Sequence, residues 1–231
     1  MAIMSTTTKI IQSPFEEIAE FKNGMFHFNL SDCLKWMEKQ GKTLFGEHFR
    51  ILQQDHPVIY KLLVYAIGDK ENCNRKGLNL EKGLLVNGPV GVGKTSLMKL
   101  INYFCPTEKQ YQVKPARELS FELETEGFKI VNKYSKGAFQ MGRNGTFPVI
   151  YCFDDLGVEP PLKYYGNECN VMAEILLSRY DLFVSKGMLT HATTNLSASE
   201  LEERYGNRVR SRMREMFNLV TFDKDSGDKR I

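Results

Sequence analysis

Residues 88–95 read Gly-Pro-Val-Gly-Val-Gly-Lys-Thr and fit the pattern G-x-x-x-x-G-K-[ST] without a mismatch. The glycines allow the backbone to curl, so that several N–H groups can converge on the oxygens of a phosphate. Lys94 would place its charge against the β- and γ-phosphates, and Thr95 would offer a hydroxyl to Mg²⁺. An apolar run precedes the loop and a helix follows it, so the positive end of the helix dipole would face the same anion. The residues predicted to bind a nucleotide are Gly88, Pro89, Val90, Gly91, Val92, Gly93, Lys94, Thr95 and Ser96.

Two carboxylates follow a second apolar run, 149–153, later in the chain. Asp154 would hold Mg²⁺ together with Thr95, usually through water, and Asp155 would polarise the water that attacks the γ-phosphate. Two aspartates after a strand more often form a turn or a helix cap, but their pairing with the glycine-rich loop favours the catalytic interpretation. Because aspartate is shorter than glutamate, we expect slow hydrolysis that suits a molecular switch.

Asn195 follows the strand predicted over 188–194 and would be the next polar group at the site. If the strand that ends at residue 194 lies between the other two strands, the Asn195 side chain would reach toward the γ-phosphate and the attacking water. The alternative is an asparagine that only shapes a buried turn.

Five arginines lie between residues 204 and 214, where a solvated helix face is the usual interpretation. Arg208 and Arg212 are four residues apart and share a helix face, whereas Met213 and Met216 can face inward. The two guanidinium groups could meet a triphosphate held by a neighbouring subunit, as arginine fingers do. They could instead contact the backbone of a nucleic acid, and the sequence leaves both interpretations open.

These residues can act together only if a sheet brings them to one edge, and the pattern after Lys82 predicts such a sheet. Short apolar runs alternate with segments of helical spacing, and Ser197 with Glu200 fits a capping box. The predicted strands are 83–87, 111–115, 147–153, 188–194 and 219–222, and the predicted helices are 94–104, 118–136, 170–186, 197–205 and 207–216. This alternation implies an α/β fold with a parallel sheet and helices on both faces.

Residues 1–80 lack the alternation of strands and helices. Apolar residues at helical spacing predict a helix over 30–41, with Ser31 as a possible N-cap. A second helical stretch is predicted over 45–67, with an interruption near Pro57.

Composition and charge exclude several classes of protein. A length of 231 residues allows one large α/β domain with a small appendage. The hydrophobic fraction of 42% excludes a disordered or collagen-like chain. Because no apolar run approaches the roughly 20 residues of a membrane span and no signal peptide is evident, we expect a soluble, cytoplasmic protein. The net charge of +3 is too small for a protein that coats nucleic acid, but it allows one local basic patch.

Four segments together resemble the DnaC/IstB family of AAA+ ATPases, which comprises bacterial helicase loaders and the helper ATPases of insertion-sequence transposition. The segments are GPVGVGKTS (88–96), FDDLG (153–157), TTNLS (193–197) and YGNRVRSRM (205–213), within a match that covers about 82–222. By this resemblance Asn195 is the sensor residue, Arg212 is the arginine finger, and Arg208 is its partner in the same motif. The resemblance also implies ATP-dependent assembly into a helical or ring-like oligomer around DNA.

The resemblance makes the expected fold that of an AAA+ P-loop NTPase with a parallel five-stranded sheet. Little chain follows Arg214, so a C-terminal helical lid is expected to be absent. The turn-rich run 69–77 predicts a boundary, which gives a helical N-terminal partner-docking region at 1–80 and an AAA+ ATPase domain at 81–231. The N-terminal region would either pack on the main domain or dock a partner through an exposed anchor, with Trp36 and Phe45 as candidates.

The favoured function is a DNA-associated ATPase that loads a replicative helicase, with ATP and Mg²⁺ as cofactors. Its expected partners are DNA, with single-stranded DNA favoured, the helicase or a transposase, and further copies of the chain; no membrane partner is expected. The close alternative is a transposition helper of the IstB type. A monomeric P-loop kinase acting on a small molecule and a nucleotide-dependent scaffold without hydrolysis are alternatives of other classes.

Overall fold

The computed structural model of the chain describes residues 11–142, 145–160, 162–164 and 167–229. The elements before the main sheet are α1 (Pro14–Glu17), β1 (Glu20–Lys22), β2 (Met25–His27), α2 (Leu30–Phe45), α3 (His56–Ala66) and α4 (Lys70–Arg75). The first half of the alternating part contains β3 (Gly83–Asn87), α5 (Lys94–Ile101), β4 (Tyr111–Pro115), α6 (Ala116–Glu126), α7 (Lys129–Lys133), β5 (Phe139–Gly142) and β6 (Gly145–Pro148). The second half contains β7 (Ile150–Leu156), β8 (Leu162–Tyr164), β9 (Asn167–Cys169), α8 (Val171–Lys186), β10 (Thr190–Thr194), α9 (Ala198–Tyr205), α10 (Asn207–Met216) and β11 (Phe217–Thr221).

The main sheet has five strands in the order β11–β3–β10–β7–β4, and every neighbouring pair is parallel. This confirms the predicted five-stranded parallel sheet. Strand β10 lies between β3 and β7, which is the position that the interpretation of Asn195 requires. Because the carboxyl ends of parallel strands meet at one edge, the segments that follow β3, β7 and β10 are brought together there.

Alternate residues of the strands enter two cores, one on each face of the sheet. Leu84 and Val86 of β3 share a core with residues of α2, α3 and α5. Leu85, between them, belongs to the opposite core, which contains residues of α6, α7, α8, α9 and α10. The predicted helices on both faces are therefore present. Among the described residues, no helix is long and apolar enough to cross a membrane.

The N-terminal helices belong to the core on the α5 face. Trp36 is 2% exposed, its ring meets that of Phe104 edge to face, and its Nε1 donates a hydrogen bond of 2.9 Å to Glu17. The interpretation of Trp36 as an exposed anchor is therefore wrong, because its indole fills the space between α2 and the main domain. Phe45 is half-buried and packs against the same core. The division between residues 80 and 81 stays a prediction.

Several predicted elements have different bounds in the structure: α2 extends to Phe45, α3 begins only at His56, α5 ends at Ile101, β10 begins at Thr190 and β11 spans Phe217–Thr221. Two further differences have a local cause. The helix predicted over 118–136 is two helices, α6 and α7, because Gly127 has a φ of 61° that ends α6. The strand predicted over 147–153 begins at Ile150 and continues through both aspartates to Leu156, while its first residues belong to the hairpin formed by β5 and β6.

Local hydrogen bonding explains three differences in the N-terminal region. The N-cap of α2 is Asn29, whose side chain accepts from the Ser31 N–H at 2.9 Å, so Ser31 lies inside the helix. The run 69–77 was predicted as turns but contains α4, because the Asp69 side chain caps that helix. Pro57 stands in the first turn of α3, where its missing N–H costs nothing, and it starts the helix rather than interrupting it.

A buried arginine ties the amino ends of the strands together, at the edge opposite the glycine-rich loop. Arg179 of α8 is 0% exposed and donates to Thr190 Oγ1 and to the carbonyls of Tyr134, Val149 and Leu189. Burial lowers the pKa of Arg179 to about 9. The bonds to Thr190, Val149 and Leu189 fix the amino ends of β7 and β10 relative to each other, far from the carboxylates at the opposite edge of the sheet.

Candidate active site

The glycine-rich loop connects β3 to α5 and has the conformation that its sequence predicts. Gly91 and Gly93 have φ values of 86° and 92°, in the left-handed region that favours glycine. Lys94 is 5% exposed, and its Nζ donates to the carbonyls of Gly88 at 2.9 Å and Pro89 at 3.0 Å. The Lys94 side chain therefore reaches back from the end of the loop to its first residues. Its ammonium group is held on the inner side of the loop.

The first carboxylate lies directly beside the loop. Asp154 is 6% exposed, and its two oxygens lie 3.0 Å and 2.9 Å from Thr95 Oγ1. Thr193 Oγ1 donates to Asp154 Oδ1 at 2.7 Å. A hydroxyl and a carboxylate are hard oxygen donors of the type that Mg²⁺ prefers, so Thr95 and Asp154 fit the predicted role. Within the described part of the chain, no group of three or more His, Cys, Asp and Glu side chains forms a metal site of its own.

A cleft of about 360 Å³ joins the loop to the second carboxylate and to Asn195. Its lining residues are Val90, Gly91, Gly93, Lys94, Thr95, Ser96, Asp155, Val158 and Asn195. The Asn195 side chain is exposed at the end of β10, as expected for a group that would contact a bound nucleotide. Val92 differs from its neighbours, because its side chain is 0% exposed and anchors the loop in the core on the α5 face.

A second anchor of the loop comes from the other end of the chain. The Lys229 N–H donates to the Gly91 carbonyl at 3.1 Å, and Lys229 Nζ donates to the Val92 carbonyl at 2.8 Å. The same ammonium group pairs with Asp55, which is 1% exposed. Because a peptide carbonyl and the following N–H point in opposite directions, fixing these two carbonyls also fixes the direction of the Val92 and Gly93 N–H groups.

The segment after the two aspartates is tied to α9 by a buried acid. Glu159 is 2% exposed and accepts from the Gly157 N–H at 2.9 Å and from the Tyr205 hydroxyl. The Arg204 guanidinium donates to the Glu159 carbonyl. Burial, followed by the charge of Glu159, raises the pKa of Tyr205, so the phenol stays a hydrogen-bond donor. The segment that follows β7 is therefore connected to α9, the helix that carries Arg204.

None of the five arginines is among the residues that line the cleft. Arg208 is exposed on α10, and the guanidinium carbon of Arg212 lies 4.7 Å from the centre of the Tyr180 ring. Met213 and Met216 are 1% and 2% exposed, which confirms that they face inward. Within one chain the structure thus brings together the loop, Asp154, Asp155 and Asn195, but not the arginines.

No protein-family profile and no curated protein sequence matches this chain. The crystal structure of the DnaC helicase loader superposes with a TM-score of 0.50 at 18% identity, over 80% of this chain and 99% of that one. A candidate primosome component from Streptococcus pyogenes serotype M3 superposes with a TM-score of 0.53 at 15% identity, over 82% of this chain and 91% of that one.

The chain has the AAA+ fold of the DnaC helicase loader. This confirms the fold that the sequence resemblance implies. At 15% and 18% identity the shared fold is what the superpositions establish, and the chemistry of this AAA+ fold is argued from its own site.

Three contributors to the site were missed at the level of sequence: Thr193, Glu159 and Lys229. Tyr205, whose hydroxyl bonds to Glu159, belongs to the Tyr-Gly segment at 205–206. That segment was the available sequence signal that α9 contacts the residues following β7. The partners Lys229 and Asp55 are 174 residues apart in sequence, and no local pattern links them.

Proposed function

We propose that this protein is a Mg²⁺-dependent ATPase of the helicase-loader type, which hydrolyses ATP in the cleft between the glycine-rich loop and the carboxyl end of β7. The observation that carries the proposal is the contact of Thr95 Oγ1 with both oxygens of Asp154, at 3.0 Å and 2.9 Å, beside a loop shaped for phosphate. Either residue alone has many uses, but a P-loop threonine that contacts a buried aspartate at the carboxyl end of β7, one strand beyond β10, suits a metal ion bound with a nucleotide.

The loop and Lys94 would bind the phosphates through backbone N–H groups and one positive charge. When bound, Mg²⁺ would neutralise charge on the β- and γ-phosphate oxygens. Asp155 and Asn195 line the same cleft, which supports a role for both on the attacking water. Asp155 would accept its proton, and the Asn195 amide would orient it toward the γ-phosphate.

Arg212, with Arg208, would complete the site of a neighbouring subunit. The charge that develops on the γ-phosphate calls for a cation besides Lys94, and the arginines of this chain do not line its own cleft. Arg208 is exposed on α10 and Arg212 is half-buried beside Tyr180, so a contact between copies would use Arg208 directly and would reach Arg212 at the edge of the same helix face. Hydrolysis per chain should then rise with protein concentration, whereas a monomeric kinase would show a constant specific activity.

The proposed client is a replicative helicase, with residues 1–80 as the docking region and single-stranded DNA as the favoured nucleic acid. The fold shared with a helicase loader and with a candidate primosome component supports a role in replication. The transposition helper of the IstB type has the same chemistry and a different client. Retention of a helicase, rather than a transposase, on the immobilised full-length protein would support the loader.

The ATPase proposal is tested by replacing Asp155 with asparagine. Asparagine keeps the size of the side chain and tolerates the same backbone conformation, but it cannot accept the proton. We expect Asp155→Asn to bind a fluorescent ATP analogue like the unmodified protein and to lose hydrolysis by about 100-fold or more. Glu202→Gln, an exposed acid on α9, is the matched control and should leave both measurements unchanged. Unchanged hydrolysis by Asp155→Asn would remove this residue from the mechanism.

A further inference from the structure

The pairing of β7 with β10 is irregular at the two aspartates. Ala192 of β10 faces Phe153 of β7, but Thr194 faces Leu156, so one residue of β10 spans two residues of β7. That residue is Thr193, and the two it faces are Asp154 and Asp155. The arrangement is a β-bulge, with one extra residue in β7.

The side-chain pattern of β7 shows which residue is extra. Phe153 and Leu156 belong to the same core on one face of the sheet, although residues three apart in a regular strand point to opposite faces. Asp155 has a φ of 56°, in the left-handed region that non-glycine residues rarely adopt. Asp155 is therefore the inserted residue, and this backbone conformation turns its side chain into the cleft that Lys94 also lines.

A single buried hydroxyl contacts both aspartates at the bulge. Thr193 is 0% exposed, its Oγ1 accepts from the Asp155 N–H at 2.8 Å, and the same oxygen donates to Asp154 Oδ1 at 2.7 Å. A hydroxyl has one proton to donate and lone pairs to accept, so both functions of Thr193 are used here. The hydrogen bond from the Asp155 N–H to Thr193 Oγ1 replaces the backbone hydrogen bond that this N–H would make to the neighbouring strand if β7 had no bulge.

We propose that Thr193 is a positioning residue that holds two consecutive acids on the same side of the sheet. Without the bulge, Asp154 and Asp155 would point to opposite faces, and only one of them could approach the phosphate loop. The inference rests on the proposed function, because it gives the two aspartates their roles. It adds that the hydroxyl of Thr193 fixes the positions of both carboxylates: that of Asp154, proposed to bind Mg²⁺, and that of Asp155, proposed to activate water.

The test compares Thr193→Val with Thr193→Ser. Valine has nearly the same shape but no hydroxyl, so the Asp155 N–H and Asp154 Oδ1 both lose a partner, whereas serine keeps the group. For Thr193→Val we expect kcat for ATP hydrolysis to fall by about 100-fold with KM changed less than about threefold, because the binding loop is untouched. Serine is expected to restore kcat to within about threefold of the unmodified value, since it makes the same two bonds.

A second measurement does not depend on hydrolysis. Mg²⁺ should raise the affinity of the unmodified protein for a fluorescent ATP analogue, and Thr193→Val should require about tenfold more Mg²⁺ for the same effect. If the unmodified protein does not hydrolyse ATP, the proposed function fails while this titration still decides the role of Thr193. A valine variant with unmodified kcat and unmodified Mg²⁺ requirement would overturn the inference, and so would a folded serine variant that behaves like valine.

Two further variants separate positioning from stability. Thr190→Val removes another fully buried hydroxyl of β10, one that accepts from Arg179 and touches neither aspartate. It should lower the melting temperature but leave kcat unchanged. If Thr193→Val does not fold, Thr193→Cys takes its place, because a thiol fills similar space and hydrogen-bonds weakly. A cysteine variant with at least fivefold lower kcat supports the inference, and one with unmodified kcat contradicts it.

Discussion

The carboxyl edge of the sheet and the outer surface of α10 both carry charged residues that the sequence singles out, but they are built in opposite ways. At the sheet edge, Lys94, Thr95 and Asp154 are largely buried and hydrogen-bonded to one another or to the loop. On α10, Arg208 is exposed, and Arg212 packs over a tyrosine of its own chain. The first set is organised around one cleft within the chain, whereas the second set lies on a helix whose arginines do not line that cleft.

This difference indicates how the catalytic groups are divided. Segments that follow parallel strands are brought to one edge by the sheet itself, so phosphate binding and metal binding need no second copy. The arginines of α10 do not line the cleft of their own chain, so under the proposal they act on a nucleotide held by another copy. We therefore expect nucleotide binding to be a property of the single chain and hydrolysis to be a property of the assembly.

The largest expected effect is that of Arg212→Ala on hydrolysis. Because an arginine finger stabilises charge only in the transition state, kcat should fall by about 1,000-fold while affinity for ATP stays within about twofold. Steady-state hydrolysis and titration with a fluorescent ATP analogue measure the two quantities. Arg214→Ala, an exposed neighbour on the same helix, is the control and should retain most activity. Loss of ATP binding in Arg212→Ala would place this arginine in its own chain's site instead.

A smaller but still large effect is expected for Lys94→Ala on binding. Removal of the charge that faces the β- and γ-phosphates should weaken ATP binding by about 100-fold or more, at any protein concentration. Lys99→Ala lies on the same helix at an exposed position and should bind normally. If Lys94→Ala still bound ATP with micromolar affinity, the assignment of residues 88–95 as a phosphate-binding loop would be wrong. The contrast between the sheet edge and α10 would then fail as well.

The smallest expected effect concerns the outer anchor of the loop. Lys229→Met keeps an aliphatic chain of similar length but cannot donate to the Val92 carbonyl or pair with Asp55. We expect ATP affinity to fall by about three- to tenfold, since charge-assisted hydrogen bonds contribute about 1.5–3 kcal/mol and the loop keeps its other contacts. The rate of hydrolysis at saturating ATP should not change. A loss of kcat at saturation would show that this lysine acts on more than loop geometry.

The local parts of the fold were predictable from sequence, and its long-range parts were not. Strands β3 and β4 have their predicted bounds, and the Ser197–Glu200 capping box begins α9, because short apolar runs and caps depend on neighbouring residues. The hairpin of β1 and β2 was missed although its Asn23–Gly24 turn is a strong hairpin signal, and both residues have positive φ.

The candidate site shows the same division. The loop, both aspartates and Asn195 were predicted because their types and order along the chain form a pattern. Thr193 was not, because its role arises from a bulge that brings it to Asp155 across 38 residues of sequence. The helix predicted over 118–136 is divided at Gly127 for a comparable reason, since the direction of α7 is set by its packing in the core rather than by periodicity.

The central claim is that each chain binds ATP alone and that a neighbour supplies the arginine, and a mixing experiment tests it most directly. Arg212→Ala keeps an intact cleft, and Asp155→Asn keeps an intact arginine, so each variant alone should be inactive in hydrolysis. When the two are mixed at equal concentration, cleft and arginine can meet at some interfaces, and we expect about a quarter of the unmodified activity if subunits associate at random. Activity that stays at the level of the separate variants at every mixing ratio would contradict the account.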